Sequence, residues 1–348
     1  MDINTILKES IKKGASDIHI SVGLPPMFRV SGELIPFGEK GLTPEDTRGL
    51  VYSMLTSEQA KKFETEYELD LSYGIPDGRF RVNVYMDMGG IAAALRTIPA
   101  TIPTMEEIDM PEVAFRLARL PRGLVLVTGP TGSGKSTSLA AMLNLINMER
   151  NCHIITIEDP IEFVYPKKRA VINQRELTIH TKSFASALKH ALREDPDVLL
   201  VGEMRDLETI AAVLTLAETG HLVFSTLHTV DAAQTVDRII DVFPPYQQQQ
   251  IRAQLSMTLE GVISQQLLSR VGGGRVAARE IMIVNPAIAN LIRDGKTYQI
   301  YSVIQTSTNI GMRTMEQALK ELYTKGLISY EEAISKSSNP DEFRRLVG

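Results

Sequence analysis

The sequence predicts an α/β protein: a domain built on a parallel sheet, preceded by a smaller α+β domain. Three observations carry this. After residue 112, apolar runs at 123–128, 153–157, 198–202 and 222–226 alternate with longer helical runs near 135–147, 183–193, 206–218 and 231–241. Continuous apolar strands separated by helices are the mark of a sheet buried on both faces. The first of these strands runs into Gly129-Pro130-Thr131-Gly132-Ser133-Gly134-Lys135-Ser136-Thr137, a complete G-x-x-x-x-G-K-[ST] loop that opens a helical run. The first hundred residues lack this alternation and show short strands broken by turns.

The elements follow in order. Residues 2–13 place Ile3, Ile6, Leu7, Ser10 and Ile11 on one helical face, with Gly14 just beyond as a stop. Residues 18–20 and 27–30 read as strands. Thr43 and Pro44 start a helix, as cap and first-turn residue. Runs 69–75, 79–85 and 91–98 read as three further strands. Pro99, Pro103 and Pro111 mark a linker, so the expected domains are 1–98 and 113–348, joined by 99–112. After the four strands of the second domain, a long helix is expected over about 245–268. Gly272-Gly273-Gly274 then separates it from a strand at 276–284. The C-terminal part, about 286–348, reads as helices at 286–294, 313–325 and 330–336.

Composition excludes several classes. The 348 residues carry a net charge of −5, with no block of like charge. This is not a nucleic-acid footprint, and no nucleic-acid partner is expected. The lone cysteine, Cys152, can form neither an internal disulfide nor a zinc cluster, and its apolar neighbours point to packing rather than reactivity. No run approaches the ~18 apolar residues of a membrane span, and the N-terminus lacks the basic and apolar regions of a signal peptide. A cytosolic protein that can dock on a membrane protein is expected.

In parallel α/β sheets ligands bind beyond the carboxyl ends of the strands, so the polar residues there carry the chemistry. The P-loop glycines let backbone amides and the helix N-terminus wrap a phosphate. Lys135 would reach the β- and γ-phosphates of a nucleotide, and the Ser136 hydroxyl would ligate Mg2+. The second strand ends in Glu158-Asp159-Pro160-Ile161-Glu162. Glu158 or Asp159 could hold Mg2+ through water, and Glu162 could polarise the water that attacks the γ-phosphate. The third is an apolar strand closed by Glu203, a Walker B pattern whose acid sits near Mg2+. His228 follows the fourth strand and could sense the γ-phosphate or relay its loss. His221, at the other end of that strand, reads as structural or interfacial. In the first domain, period-two alternation puts Arg79, Arg81 and Asn83 on one strand face, with Arg96 on the next strand. These arginines suit either clamping nucleotide phosphates or reaching into a neighbouring subunit's site.

The P-loop, the acidic box Glu158–Glu162, the Glu203 segment and the box Gly220-His221…Thr226-Leu227-His228 occur in the order of the secretion-type ATPases, which serve type II secretion and type IV pili. The chain most resembles the PilT-type pilus-retraction branch over nearly its whole length. It has a short N-terminal region and no four-cysteine zinc motif. Ala287-Ile288-Ala289-Asn290-Leu291-Ile292-Arg293-Asp294 is similar to that branch's A-I-R-N-L-I-R-E signature, departing at Ala289 and Asp294. The resemblance implies a PAS-like domain joined to a RecA-like domain, six copies in a ring, and ATP with Mg2+ between the domains. It implies that Lys135 binds phosphate, Glu162 is the catalytic glutamate, Glu203 the Walker B acid, and His228 a neighbour of the nucleotide. Arg81 and Arg96 would meet the phosphates on closure. Implied partners are a PilC-like platform protein at the cytoplasmic face of the inner membrane, and the assembly ATPase or an accessory retraction ATPase. The expected activity is ATP hydrolysis that drives pilus retraction. The alternatives are a PilU-like accessory ATPase, disfavoured by the shorter C-terminus, or another secretion-system assembly motor. A nucleotide-binding switch without hydrolysis is disfavoured by the presence of both Glu162 and Glu203.

Overall fold

The computed structural model describes residues 2–30, 32–98 and 101–348. Pro99 and Ala100, at the start of the expected linker, lie outside the described residues. The chain forms two compact units, Met1–Thr101 with Glu162–Val164, and Ile102–Ile161 with Tyr165–Gly348.

The first unit begins with α1 (Ile3–Lys12), capped by Asp2, whose carboxylate accepts the Thr5 amide at 3.0 Å. Ile3, Ile6 and Leu7 turn inward, as the helical period requires. Strands β1 (Asp17–Ile20), β2 (Met27–Val30) and β3 (Glu33–Pro36) follow, then α2 (Pro44–Tyr52) and α3 (Ser57–Glu66). Thr43 and Asp46 form a reciprocal capping box at α2, satisfying two otherwise unpaired amides. Strands β4 (Glu68–Ile75), β5 (Gly78–Asp87) and β6 (Gly90–Ile98) complete a six-stranded antiparallel sheet, ordered β3-β2-β1-β6-β5-β4. Phe28, Phe63, Phe80, Val82, Val84 and Leu95 fill its core. Strand β3 and helix α3 were not expected. Strand β3 buries none of its residues, and α3 buries only Phe63, so neither carries a clear hydrophobic period.

The second unit opens with α4 (Glu112–Ala118) and β7 (Gly123–Thr128). It continues through α5 (Lys135–Glu149), β8 (His153–Glu158), β9 (Val171–Glu176), α6 (Phe184–Ala191), β10 (Val198–Val201), α7 (Leu207–Glu218), β11 (Leu222–Leu227), α8 (Ala232–Asp241) and α9 (Pro245–Thr258). Strands β12 (Leu259–Ser269) and β13 (Arg275–Ile283) precede α10 (Pro286–Arg293), α11 (Ile300–Thr306), α12 (Met315–Thr324), α13 (Tyr330–Lys336) and α14 (Pro340–Val347). The seven-stranded sheet has the order β13-β12-β7-β11-β10-β8-β9, parallel except for β13. Alternate residues of each central strand feed opposite layers. Leu124, Leu126, Ile155, Leu199 and Val223 join one core, while Val125, Val127, Ile154, Leu200 and Phe224 join the other. Helices therefore cover both faces. Cys152 packs against the second of these cores, and burial pushes its thiol above the ordinary range.

One expectation is corrected. The long helix of 245–268 is instead α9 followed at once by β12. Ile251, Leu255, Leu259 and Val262 continue a helical period through the junction, which is why the two read as one. The outcome is decided by the open edge of β7: β12 pairs with it in parallel, and Val262, Ile263 and Ser264 are buried in succession, as a strand enclosed on both faces requires. Gly261 permits the entry, since a Cβ there would lie 2.9 Å from Leu117 of α4. The polar edge strand β9 and helices α4, α11 and α14 were likewise not expected.

Candidate active site

Parallel pairing brings the carboxyl ends of β7, β11, β10 and β8 to one edge of the sheet. The expected residues Gly129 to Thr137 leave the end of β7 and enter α5. Gly129 has φ +139°, and a Cβ there would run into the Gln265 carbonyl oxygen and lie 2.8 Å from Ser133 Oγ. Only glycine fits. Pro130, Thr131 and Gly132 are exposed, and Gly134 takes a left-handed conformation as α5 begins. The Lys135 ammonium donates to the carbonyls of Gly129 at 2.8 Å and Pro130 at 3.1 Å, so it lies across the loop's mouth. Ser136 and Thr137 occupy the first turn of α5, half-buried. Ser133 Oγ is buried without a hydrogen-bond partner among the described residues. A glycine-walled cradle with a lysine across it and amides at a helix N-terminus fits a nucleotide's phosphates.

Two residues absent from the expected set hold this loop. Gln265 of β12 donates through Nε2 to the Ser133 carbonyl at 2.6 Å and accepts from Ser138 Oγ at 2.9 Å, all buried. Ser264 shares a hydrogen bond with Thr128, the residue before Gly129, at 2.8 Å. Both were hidden because their segment read as helix. The apolar groups around them keep a helical spacing, so no local signal marked the segment as a strand.

Glu203 and His228 meet. Thr226 Oγ1 donates to the Gly202 carbonyl at 2.6 Å, and the Met204 amide donates to the Thr226 carbonyl at 3.2 Å, so the ends of β10 and β11 are tied together. His228 Nε2 then lies 3.2 Å from Glu203 Oε1, and Arg205 lies 2.8 Å from Glu203 Oε2. Burial pulls the Glu203 carboxyl upward, but Arg205 and His228 outweigh it and hold the group below its ordinary range. It is an anion at neutral pH. Asp159, exposed at the end of β8, acts on Arg205 as well, raising its pKa together with Glu203.

Glu158 is buried, accepting Thr156 Oγ1 at 2.6 Å and Gln174 Nε2 at 3.4 Å. Ile161 is fixed by its amide, which donates to buried Glu176 at 3.3 Å, and Glu162, the next residue, is exposed. In the first unit, Arg81 and Arg96 are exposed and directly paired across β5 and β6. Arg96 Nε donates to Asp17 Oδ1 at 2.9 Å. His221 has a structural setting, its Nδ1 3.0 Å from the Leu216 carbonyl. Among the described residues, no three His, Cys, Asp or Glu side chains converge to hold a metal ion. Oxygen donors such as Ser136, Glu203, Glu158 and Asp159 suit Mg2+, which keeps much of its water and needs no closed protein cage.

Residues 1–273 match the family described as Type II/IV secretion system protein. The chain is 54% identical over 344 residues to the type IV pilus retraction ATPase PilT of Pseudomonas aeruginosa, covering 99% of this chain and all of that one. It is 39% identical over 349 residues to the type IV pilus ATPase PilU of the same organism, covering 100% of this chain and 91% of that one. A crystal structure of the pilus retraction motor PilT with bound ADP superposes with a TM-score of 0.94, at 50% identity and 99% coverage of both chains. The fold is accordingly a RecA-like P-loop ATPase domain with a smaller PAS-like α+β domain. No helix among the described residues is long and apolar enough to cross a membrane. With a phosphate cradle at the end of β7 and an acid held ionised at the end of β10, this chain is an ATPase and belongs to the type II/IV secretion system protein family.

Proposed function

We propose that this chain is the motor of type IV pilus retraction, and so of twitching motility, working as a ring of six copies in the cytoplasm against a PilC-like platform protein of the inner membrane. The observation that carries the reading is the 54% identity to PilT across the whole chain. The phosphate cradle supports ATP as the substrate. In this reading Lys135 and backbone amides of the loop from Thr131 to Thr137 hold the β- and γ-phosphates. Glu162 orients and deprotonates the attacking water. Glu203 and His228, held together at the sheet edge, face the terminal phosphate. Arg81 and Arg96, paired on β5 and β6, serve as the phosphate-contacting arginines. Ser136 and Glu203, with Glu158 and Asp159 through water, would hold Mg2+, which when bound neutralises charge developing on the phosphates.

Two measurements test this. Purified protein should turn over ATP with Mg2+, while Lys135→Ala and Glu162→Ala should each lose at least about 100-fold in rate, the usual scale for a phosphate clamp or general base. Equal rates would remove the proposed site. A strain lacking the gene, complemented with Glu162→Ala, should carry surface pili that accumulate and do not shorten. Absent pili would point to an assembly motor, and pili that still shorten would point to the PilU-like accessory role.

A further inference from the structure

Glu280 lies on β13, which the reading above leaves without a role. Its side chain is buried, at 3% exposure. The carboxylate accepts the amide of Ala232, the first residue of α8, at 2.8 Å through Oε1, and the backbone of Met315, the first residue of α12, also favours its charged form. The charged groups that act on it most are Asp231, capping α8, and Glu316 on α12. Its direct hydrogen bond comes from the N-terminus of α8, whose otherwise unpaired amides favour a negative group.

The position of α8 gives this consequence. Only His228, Thr229, Val230 and Asp231 separate β11 from α8. Thr229 and Thr235 share a hydrogen bond at 2.7 Å, and Thr235 Oγ1 donates to the Asp231 carbonyl at 2.7 Å, so this loop is fastened to the first turns of α8. That turn is fastened to the sheet at Glu280. The register completes the link: Glu280 is paired with Ser264 of β12, and Ser264 with Thr128 of β7, next to the P-loop. One row of polar residues thus runs from the cradle across the sheet to the anchor of the His228 loop.

We propose that Glu280 is a positioning residue: by holding the N-terminus of α8 against the sheet it sets His228 opposite Glu203. This rests on the reading of His228 as part of the active site.

The test uses the full chain and four variants: Glu280→Ala, Glu280→Gln, His228→Ala, and Glu280→Ala with His228→Ala. Amide exchange of residues 228–235 followed by mass spectrometry, ATP turnover, and ADP affinity are measured for each. Glu280→Ala should speed exchange in 228–235 and lower kcat about tenfold, while ADP affinity stays within about twofold, because the cradle itself is untouched. Glu280→Gln keeps an acceptor oxygen for Ala232 and should restore most of the exchange protection and of kcat. The double variant should be no slower than the slower single variant, as expected when one residue acts through the other. The proposal is overturned by unchanged exchange in Glu280→Ala, by ADP affinity falling in step with kcat, by Glu280→Gln behaving as Glu280→Ala, or by multiplicative losses in the double variant. His228→Ala with wild-type turnover would instead remove the active-site role of His228, with exchange still deciding whether Glu280 holds the loop.

Discussion

Replacing Gln265 by methionine removes both hydrogen bonds that fasten the phosphate loop to β12 while nearly preserving side-chain volume. The Ser133 carbonyl loses its 2.6 Å donor and the Ser138 hydroxyl its 2.9 Å acceptor, both in buried surroundings. A buried polar group left unpaired costs about 1–3 kcal/mol. Ser138, inside α5, can turn its hydroxyl back to a carbonyl one turn earlier and recover part of the loss. The expected total is about 2–4 kcal/mol, a melting-point fall of about 5–15 °C for a unit of this size. Gln265→Glu should be worse, because it sets a second acceptor against the Ser133 carbonyl where a donor belongs. The chain has no tryptophan, so far-ultraviolet circular dichroism follows the melt, with and without ADP. A looser cradle must be ordered on binding, so ADP affinity should fall about tenfold in Gln265→Met, equivalent to about 1.4 kcal/mol of lost preorganisation. A methionine variant that melts within a degree of the parent and binds ADP equally well would falsify the view that Gln265 supports the P-loop.

Three further outcomes are expected. Gly129→Ala combines a φ that alanine avoids with a clash against a strand carbonyl that cannot move aside, so nucleotide binding should vanish and stability fall by about 2–5 kcal/mol, read by calorimetry. Thr43→Ala removes the cap of α2 and should destabilise the first unit by about 1 kcal/mol without changing ADP affinity, measured by denaturant titration. Burial first, then the charges of Asp231 and Glu316, push the Glu280 carboxyl up from 4.5 to about 7, against the opposing pull of the Ala232 amide and the Met315 backbone. The folded protein therefore holds this proton more tightly than the unfolded chain. Stability from this group is complete below about pH 4.5, declines as pH rises through about 7, and is level above, a span of about 3 kcal/mol. Glu280→Gln should remove that slope, and melts at pH 5 and pH 8 that shift equally in both proteins would contradict the assignment.

The four central strands of the second unit were legible because a strand enclosed on both faces must be apolar throughout, and a run such as Gly123–Thr128 announces itself without its neighbours. Candidate site residues at their ends could be named for a related reason. A phosphate loop has glycines and a lysine at fixed spacing, which names Gly129 to Thr137, while Glu203 and His228 were named as the polar residues that follow later apolar strands. The polar edge strand β9 and the mostly exposed α3 escaped notice because they bury too little to leave a period.

What local pattern alone determined was which residues are candidates for phosphate chemistry. What only the tertiary structure decided was what holds them. Residues 259–269 have a helical spacing of apolar groups, and they become β12 because the edge of β7 offers main-chain partners about 130 residues away in sequence, a contact no local window contains. That pairing delivers Gln265 to the P-loop, and through β13 it delivers Glu280 to the start of α8. Hydrogen bonds between distant segments follow from register, and register is settled only when the strands pack together.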